Sequence, residues 1–147
     1  SVDIQHVPYR GAAPAMTDLI AGQVQCYFST TPSCIEHIRG GRVRGLAVTT
    51  ASRLDAVPDL PTIGEFIKGY EATAWYGVGA PRQTPQPIVD KLNREINAVL
   101  AEPRMKARFD DLGCVLIAGS PGEFGKLIAE ETEKWGKVVK FSGARAE

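Results

Sequence analysis

His6-Val-Pro-Tyr-Arg-Gly-Ala-Ala-Pro-Ala15 carries the chain from a strand-forming run through a glycine turn into a helix. The strand is expected over residues 4–9, ending at Gly11. The helix that follows has Pro14 in its first turn, Ala15, Leu19 and Ile20 as its apolar side, and Gly22 as its stop. Val24-Gln-Cys-Tyr-Phe28 reads as a short buried strand. Thr31-Pro32 then supplies an N-cap and an N1 proline for a second helix, which carries Ile35 and Ile38 and halts at Gly40-Gly41. A third strand is expected over residues 43–49. Strands alternating with helices over such short connections predict an α/β fold with a mostly parallel sheet and right-handed crossovers.

Beyond residue 51 the pattern breaks into a polar loop, and Thr62-Ile-Gly-Glu65 forms a capping box ahead of a short helix with Phe66 and Ile67. Residues 70–80 read as a long aromatic strand. The remainder is helical. Ile88, Val89, Leu92, Ile96, Val99 and Leu100 recur on one helical face behind Thr84 and Pro85, and a second helix with Met105, Phe109 and Leu112 stops at Gly113. A brief strand over 114–118 leads to Ser120-Pro-Gly-Glu123, a second capping box, whose helix is expected to run to about Val139. Its polar face predicts (i, i+4) pairs such as Glu130 with Lys134.

Bulk properties narrow the function classes. Among 147 residues, 17 basic and 17 acidic side chains cancel, so the chain has no electrostatic footprint for nucleic acid or an anionic membrane. No apolar run reaches the roughly 20 residues that span a bilayer. The three cysteines, Cys26, Cys34 and Cys114, form no CxxC pair and there is no His-rich ligand spacing, so neither a zinc site nor a dense disulfide framework is indicated, and no cofactor is expected. The chain opens at Ser1 without methionine and enters strand-like sequence at once, from which an upstream segment is expected.

The turn at Gly11 is the best candidate for chemistry. Small residues let a ligand approach the backbone there, and the N–H groups of a helix's first turn point outward with the positive end of its dipole. Gly11, Ala12 and Ala13 are therefore expected to bind a carboxylate, with Arg10 as a charged supplement or a solvated surface residue. Phe28-Ser-Thr-Thr-Pro-Ser33 is the second such strand end. Ser29 and Thr30 are its ligand candidates, whereas Thr31 and Ser33 are as readily explained as helix caps. Gly77-Val-Gly79 lacks the third glycine of a dinucleotide fingerprint. Cys34 and His37 stand three apart on a helix, without the elbow, oxyanion loop or orienting acid that a nucleophile needs, and no catalytic residue is expected. His6 reads as structural, and Trp75 and Tyr76 as core aromatics or a stacking surface.

With these residues in view, the chain resembles the tripartite tricarboxylate transporter substrate-binding receptors, the Bug family. His6-Val-Pro-Tyr-Arg-Gly, Gly22-Gln-Val, Pro32-Ser, His37-Ile, Leu46-Ala-Val-Thr, Val57-Pro-Asp-Leu-Pro-Thr, Trp75-Tyr-Gly, Ile88-Val-Asp-Lys-Leu-Asn and Lys134-Trp-Gly-Lys-Val-Val-Lys carry the resemblance. It implies a periplasmic two-lobed clamshell of the type II binding-protein class that hands small carboxylates to membrane permease subunits, with no enzymatic activity. It also implies that the carboxyl-terminal half alone is present: residues 1–80 as part of the second ligand-binding lobe, and residues 81–147 as a helical return segment that packs on the first lobe. Ser29-Thr30 stands where many members carry an aspartate or asparagine.

On that architecture the helices after Pro85 would leave apolar faces uncovered, and either a homodimer or a compact rearrangement is expected to cover them. A half-pocket is expected to bind its ligand weakly or not at all. The alternative from another class is an effector-sensing module of a regulatory protein built on the same lobes. A cysteine-dependent enzyme is a third.

Overall fold

The structure is a computed structural model that describes residues 3–144; the outermost residues of both expected segments lie outside that range. Among the described residues the helices are α1 (Ala12–Ile20), α2 (Thr31–Arg39), α3 (Gln86–Leu100), α4 (Pro103–Asp111) and α5 (Pro121–Ser142), with a 3-10 turn at Ile63–Glu65. The local signals account for their ends. α1, α2 and α4 close by the same device. The N–H of Gly22, Gly41 and Gly113 bonds back to Leu19, Ile38 and Asp110, and the next N–H reaches Asp18, His37 and Phe109. Each of these glycines takes a left-handed φ, of 74°, 67° and 68° respectively.

Both capping boxes are present. Thr62 Oγ1 accepts the Glu65 N–H at 3.2 Å while Glu65 Oε1 accepts the Thr62 N–H at 2.9 Å. Ser120 Oγ and Glu123 exchange the equivalent bonds at 3.2 and 2.7 Å. The first box opens only the 3-10 turn, so Phe66 and Ile67 end in solvent rather than on a helix. On α5 the ion pairs also differ from expectation: Glu130 pairs with Lys126 at 3.7 Å, and Lys134 with Glu131 at 3.3 Å. Lys134 is drawn the other way because Glu131 also accepts the Trp135 indole N–H at 2.7 Å, fixing the carboxylate beneath it.

The expected strands do not form a sheet among the described residues. Residues 4–9, 24–28, 43–49, 70–80 and 114–118 carry strand-forming sequence, yet one isolated parallel bridge, Val48 with Thr62, is the extent of the pairing. Val48 N–H donates to Pro61 O and Ile63 N–H to Val48 O, each at 2.9 Å, and Ala72 N–H donates to Thr49 O at the same distance. A strand exists by virtue of a neighbour that accepts its ladder hydrogen bonds, and these segments do not supply one another with it.

The chain divides into two units. The first comprises residues up to Trp75 together with Ala107–Val115; the second comprises Tyr76–Lys106 and residues from Leu116 on. In the first unit α1 packs against α2, burying Ala15, Met16 and Ile35, and Gly45 lies so close to Leu60 and Ile38 that a Cβ would meet Leu60 Cδ1 at 2.7 Å. Thr62 is buried there as well, held by its capping box. In the second unit the Phe124 ring covers Gly77, and Asn93 and Asn97 of α3 both donate to Gly119 O, at 2.8 and 2.9 Å. No described residue of α3, α4 or α5 is fully buried.

Candidate functional site

Gly11 is the N-cap of α1, with φ 121° and ψ 175°, a conformation that only glycine adopts without strain. Having no side chain, it cannot satisfy the first amides of the helix. Ala12 and Ala13 have no intrahelical acceptor for their N–H groups, and Pro14 has no N–H at all, so this end presents two backbone donors on a surface of methyl groups. The turn is held from behind: the Tyr9 phenol donates to Asp18 Oδ2 on α1 at 2.7 Å. That bond, with burial and the Asp18 charge as lesser causes, raises the Tyr9 pKa above its ordinary value of 10.0. Arg10 is exposed and forms no ion pair among the described residues.

At the second helix the cap is Thr30, not Thr31, which is already the first helical residue. The difference arises because Pro32 is accommodated equally well one position further into the first turn, where no N–H is required of it. Thr30 does not cap with its side chain; its Oγ1 lies 3.0 Å from Ser33 Oγ, and Ser29 Oγ donates to Thr30 O at 3.2 Å. The three hydroxyls of Ser29, Thr30 and Ser33 thus form a short polar row at the start of α2.

A groove of about 400 Å³ runs between the two helices, lined by Ala12, Ala13, Met16, Thr17 and Ile20 of α1 and Ser33 and His37 of α2. Of the residues singled out from the sequence, Ala12 and Ala13 line it, whereas Arg10, Gly11, Ser29 and Thr30 do not. The groove itself was missed, although its signal is present: Ala13, Met16, Thr17 and Ile20 recur at helical spacing, as do Ser33 and His37. The Nδ1 atom of His37 is buried without a hydrogen-bond partner.

Cys34 and His37 do not form a nucleophile and base. The thiol donates to Thr31 O, 3.6 Å away, within its own helix, and burial raises its pKa above the ordinary 9.0 against a smaller lowering effect of Ser29. A raised thiol pKa keeps the sulfur protonated, the opposite of what covalent catalysis requires. Trp75 and Tyr76 are 37% and 78% exposed, so neither is a core aromatic within its own unit. No cluster of three or more histidine, cysteine or acidic side chains is placed to hold a metal among the described residues, and no described helix is long and apolar enough to cross a membrane.

Comparison with known proteins places this geometry. A family model for the tripartite tricarboxylate transporter family receptor matches residues 1–144. A UPF0065 protein from the tcbD-tcbE intergenic region of Pseudomonas sp. (strain P51) is 39% identical over 141 residues, covering 95% of this chain and 42% of that protein. A shorter UPF0065 protein from the clcB-clcD intergenic region of Pseudomonas knackmussii is 31% identical and is covered over 83% of its length.

Among solved structures, an R. palustris protein with adipate superposes with a TM-score of 0.93 at 38% identity, over 97% of this chain and 48% of that one. The periplasmic binding protein BugD gives 0.92 at 34% identity, over 99% and 50%. MatC from Rhodopseudomonas palustris with bound malate gives 0.82 at 33% identity, over 94% and 48%. The fold is therefore that of periplasmic binding proteins, and the chain spans about half the length of most of these relatives. The chain belongs to the tripartite tricarboxylate transporter receptor family, a family of solute-binding receptors and not of enzymes.

Proposed function

We propose that this chain is the carboxyl-terminal half of a periplasmic solute receptor and contributes one side of a cleft that captures a small carboxylate for the permease subunits of a tripartite transporter. Residues 1–80 serve as part of the second ligand-binding lobe, and residues 81–147 as the helical segment that returns to the first. In the whole receptor the strand-forming segments join a mostly parallel sheet.

One observation carries the reading: α1 begins at a glycine that leaves the Ala12 and Ala13 amides without a cap, in a fold shared with proteins solved with adipate and with malate. Those amides and the Gly11 backbone receive one carboxylate, Arg10 lends charge from the rim, and the Ser29 and Thr30 hydroxyls face the polar remainder of the solute. Backbone donors read a carboxylate without reading the carbon skeleton behind it, so the acid is selected elsewhere in the cleft.

The test is a titration of the chain with adipate and with malate, followed by amide resonances. Shifts centred on Gly11, Ala12 and Ala13 are expected, with weak saturation because only one side of the cleft is present. Unmoved resonances there with both acids at millimolar concentration would sink the carboxylate reading.

A further inference from the structure

Ala12 and Ala13 stand at two features at once: their amides are uncapped at the start of α1, and both residues line the groove between α1 and α2. That groove lies wholly within the first unit, and its volume of about 400 Å³ is that of a small-molecule site. A solute whose carboxylate rests on the two amides therefore has the groove beside it.

The polar groups of the groove decide what fits there. Its lining includes no acidic side chain, lysine or arginine among the described residues. Both hydroxyls of its walls are already engaged: Thr17 Oγ1 donates to Ala13 O at 3.1 Å, and Ser33 Oγ lies 3.0 Å from Thr30 Oγ1. His37 Nδ1 is buried without a partner, so it offers no hydrogen bond to an occupant. What remains is the apolar surface of Met16 and Ile20 with the methyl groups of the two alanines. Such a lining stabilises a hydrocarbon and leaves an ion unpaired. From Ala13 to Ile20 the helix advances about 10 Å, the length of an extended chain of about eight carbons.

We propose that the groove between α1 and α2 is a hydrocarbon subsite, which takes the apolar chain of a carboxylic acid held by the Ala12 and Ala13 amides. The inference rests on the carboxylate reading given above and adds the class of acid: a monocarboxylate with an unbranched chain of up to about eight carbons. A second carboxylate at the far end of such a chain finds neither a cation nor a free donor in the groove.

The experiment titrates chain 1–147 with acetate, butanoate, hexanoate, octanoate and adipate, following the Ala12 and Ala13 amides, the Met16 methyl group and the His37 ring by NMR. Each added methylene is expected to lower the apparent Kd about twofold, half of the roughly fourfold that complete burial of a methylene gives. Met16 and His37 are expected to shift with hexanoate and not with acetate, and adipate to bind no tighter than acetate. Thr17→Trp, a change at an exposed position, fills the groove; it is expected to remove the dependence on chain length, to keep the acetate response, and to leave the circular dichroism unchanged.

Amides that respond to acetate with no gain along the series would overturn the inference and leave the carboxylate reading standing. Adipate binding as tightly as hexanoate, or a chain-length dependence that survives in Thr17→Trp, would overturn it as well. Amides silent to every acid would overturn both.

Discussion

Tyr9 and Asp18, nine residues apart, are joined by a hydrogen bond of 2.7 Å from the phenol to Oδ2, which ties the turn before α1 to the second turn of that helix. The bond holds Gly11 at the mouth of the helix without using any donor that a ligand would need. Tyr9→Phe keeps the ring and removes the tie. Adipate-induced shifts at Ala12 and Ala13 are expected to need several-fold more ligand in this variant, while the helix content in circular dichroism stays the same. An unchanged titration would show that the turn is set by Gly11 and Pro14 alone.

The Arg53 guanidinium grips Glu65 with two bonds, of 3.0 and 2.8 Å, and Thr62 N–H adds a third. Arg53, followed by the backbone bond from Thr62, holds the Glu65 pKa below its ordinary value of 4.5. A carboxyl whose pKa is lower in the folded chain contributes stability that is present above the unfolded value and is lost as pH falls through the folded one. Denaturant midpoints should therefore decline below about pH 4.5. Arg53→Met should flatten that acid limb, which urea titrations at several pH values would reveal.

Ser120 opens α5 through a reciprocal cap with Glu123. Ser120→Ala is expected to cost about 1 kcal/mol, through the loss of one satisfied amide at the helix start. Urea midpoints monitored at 222 nm check this, and Ser120→Asp, which restores an acceptor and suits the helix dipole, should recover most of the loss.

At Gly77 the Phe124 ring occupies the position of a side chain. Gly77→Ala should destabilise the second unit by about 1–3 kcal/mol, the usual cost of overpacking. The double change Gly77→Ala with Phe124→Leu should recover part of it, read as a double-mutant cycle from thermal midpoints.

Cys26 is exposed, whereas Cys34 is half-buried with a raised pKa. Iodoacetamide at neutral pH is expected to modify Cys26 well before Cys34, as peptide mass mapping over time would record. Equal rates would contradict the packing of the first turn of α2.

Much of the local structure was legible in the sequence because its causes are local. The stops at Gly22, Gly41 and Gly113, the boxes Thr62 with Glu65 and Ser120 with Glu123, and the proline-marked starts of α2 and α5 each depend on residues within one turn of one another. The misplaced cap at Thr31 is an error of a single position within such a turn. The turn at Gly11 was likewise readable, since glycine, small residues and proline in that order suffice to leave amides open.

What tertiary structure alone decided is non-local. Ala13, Met16 and Thr17 meet Ser33 and His37 across a groove because α1 and α2 pack together, a pairing that neither helix's periodicity specifies. Strand-forming runs over 24–28 and 114–118 carry β propensity, but a sheet requires a neighbour to receive each backbone donor, and propensity does not supply one. Where helices begin and end, and where amides stay free, follows from residues within a turn of one another. Which faces become core was decided by the partners those faces find in space, because burial is a property of the assembled surfaces and not of any single segment.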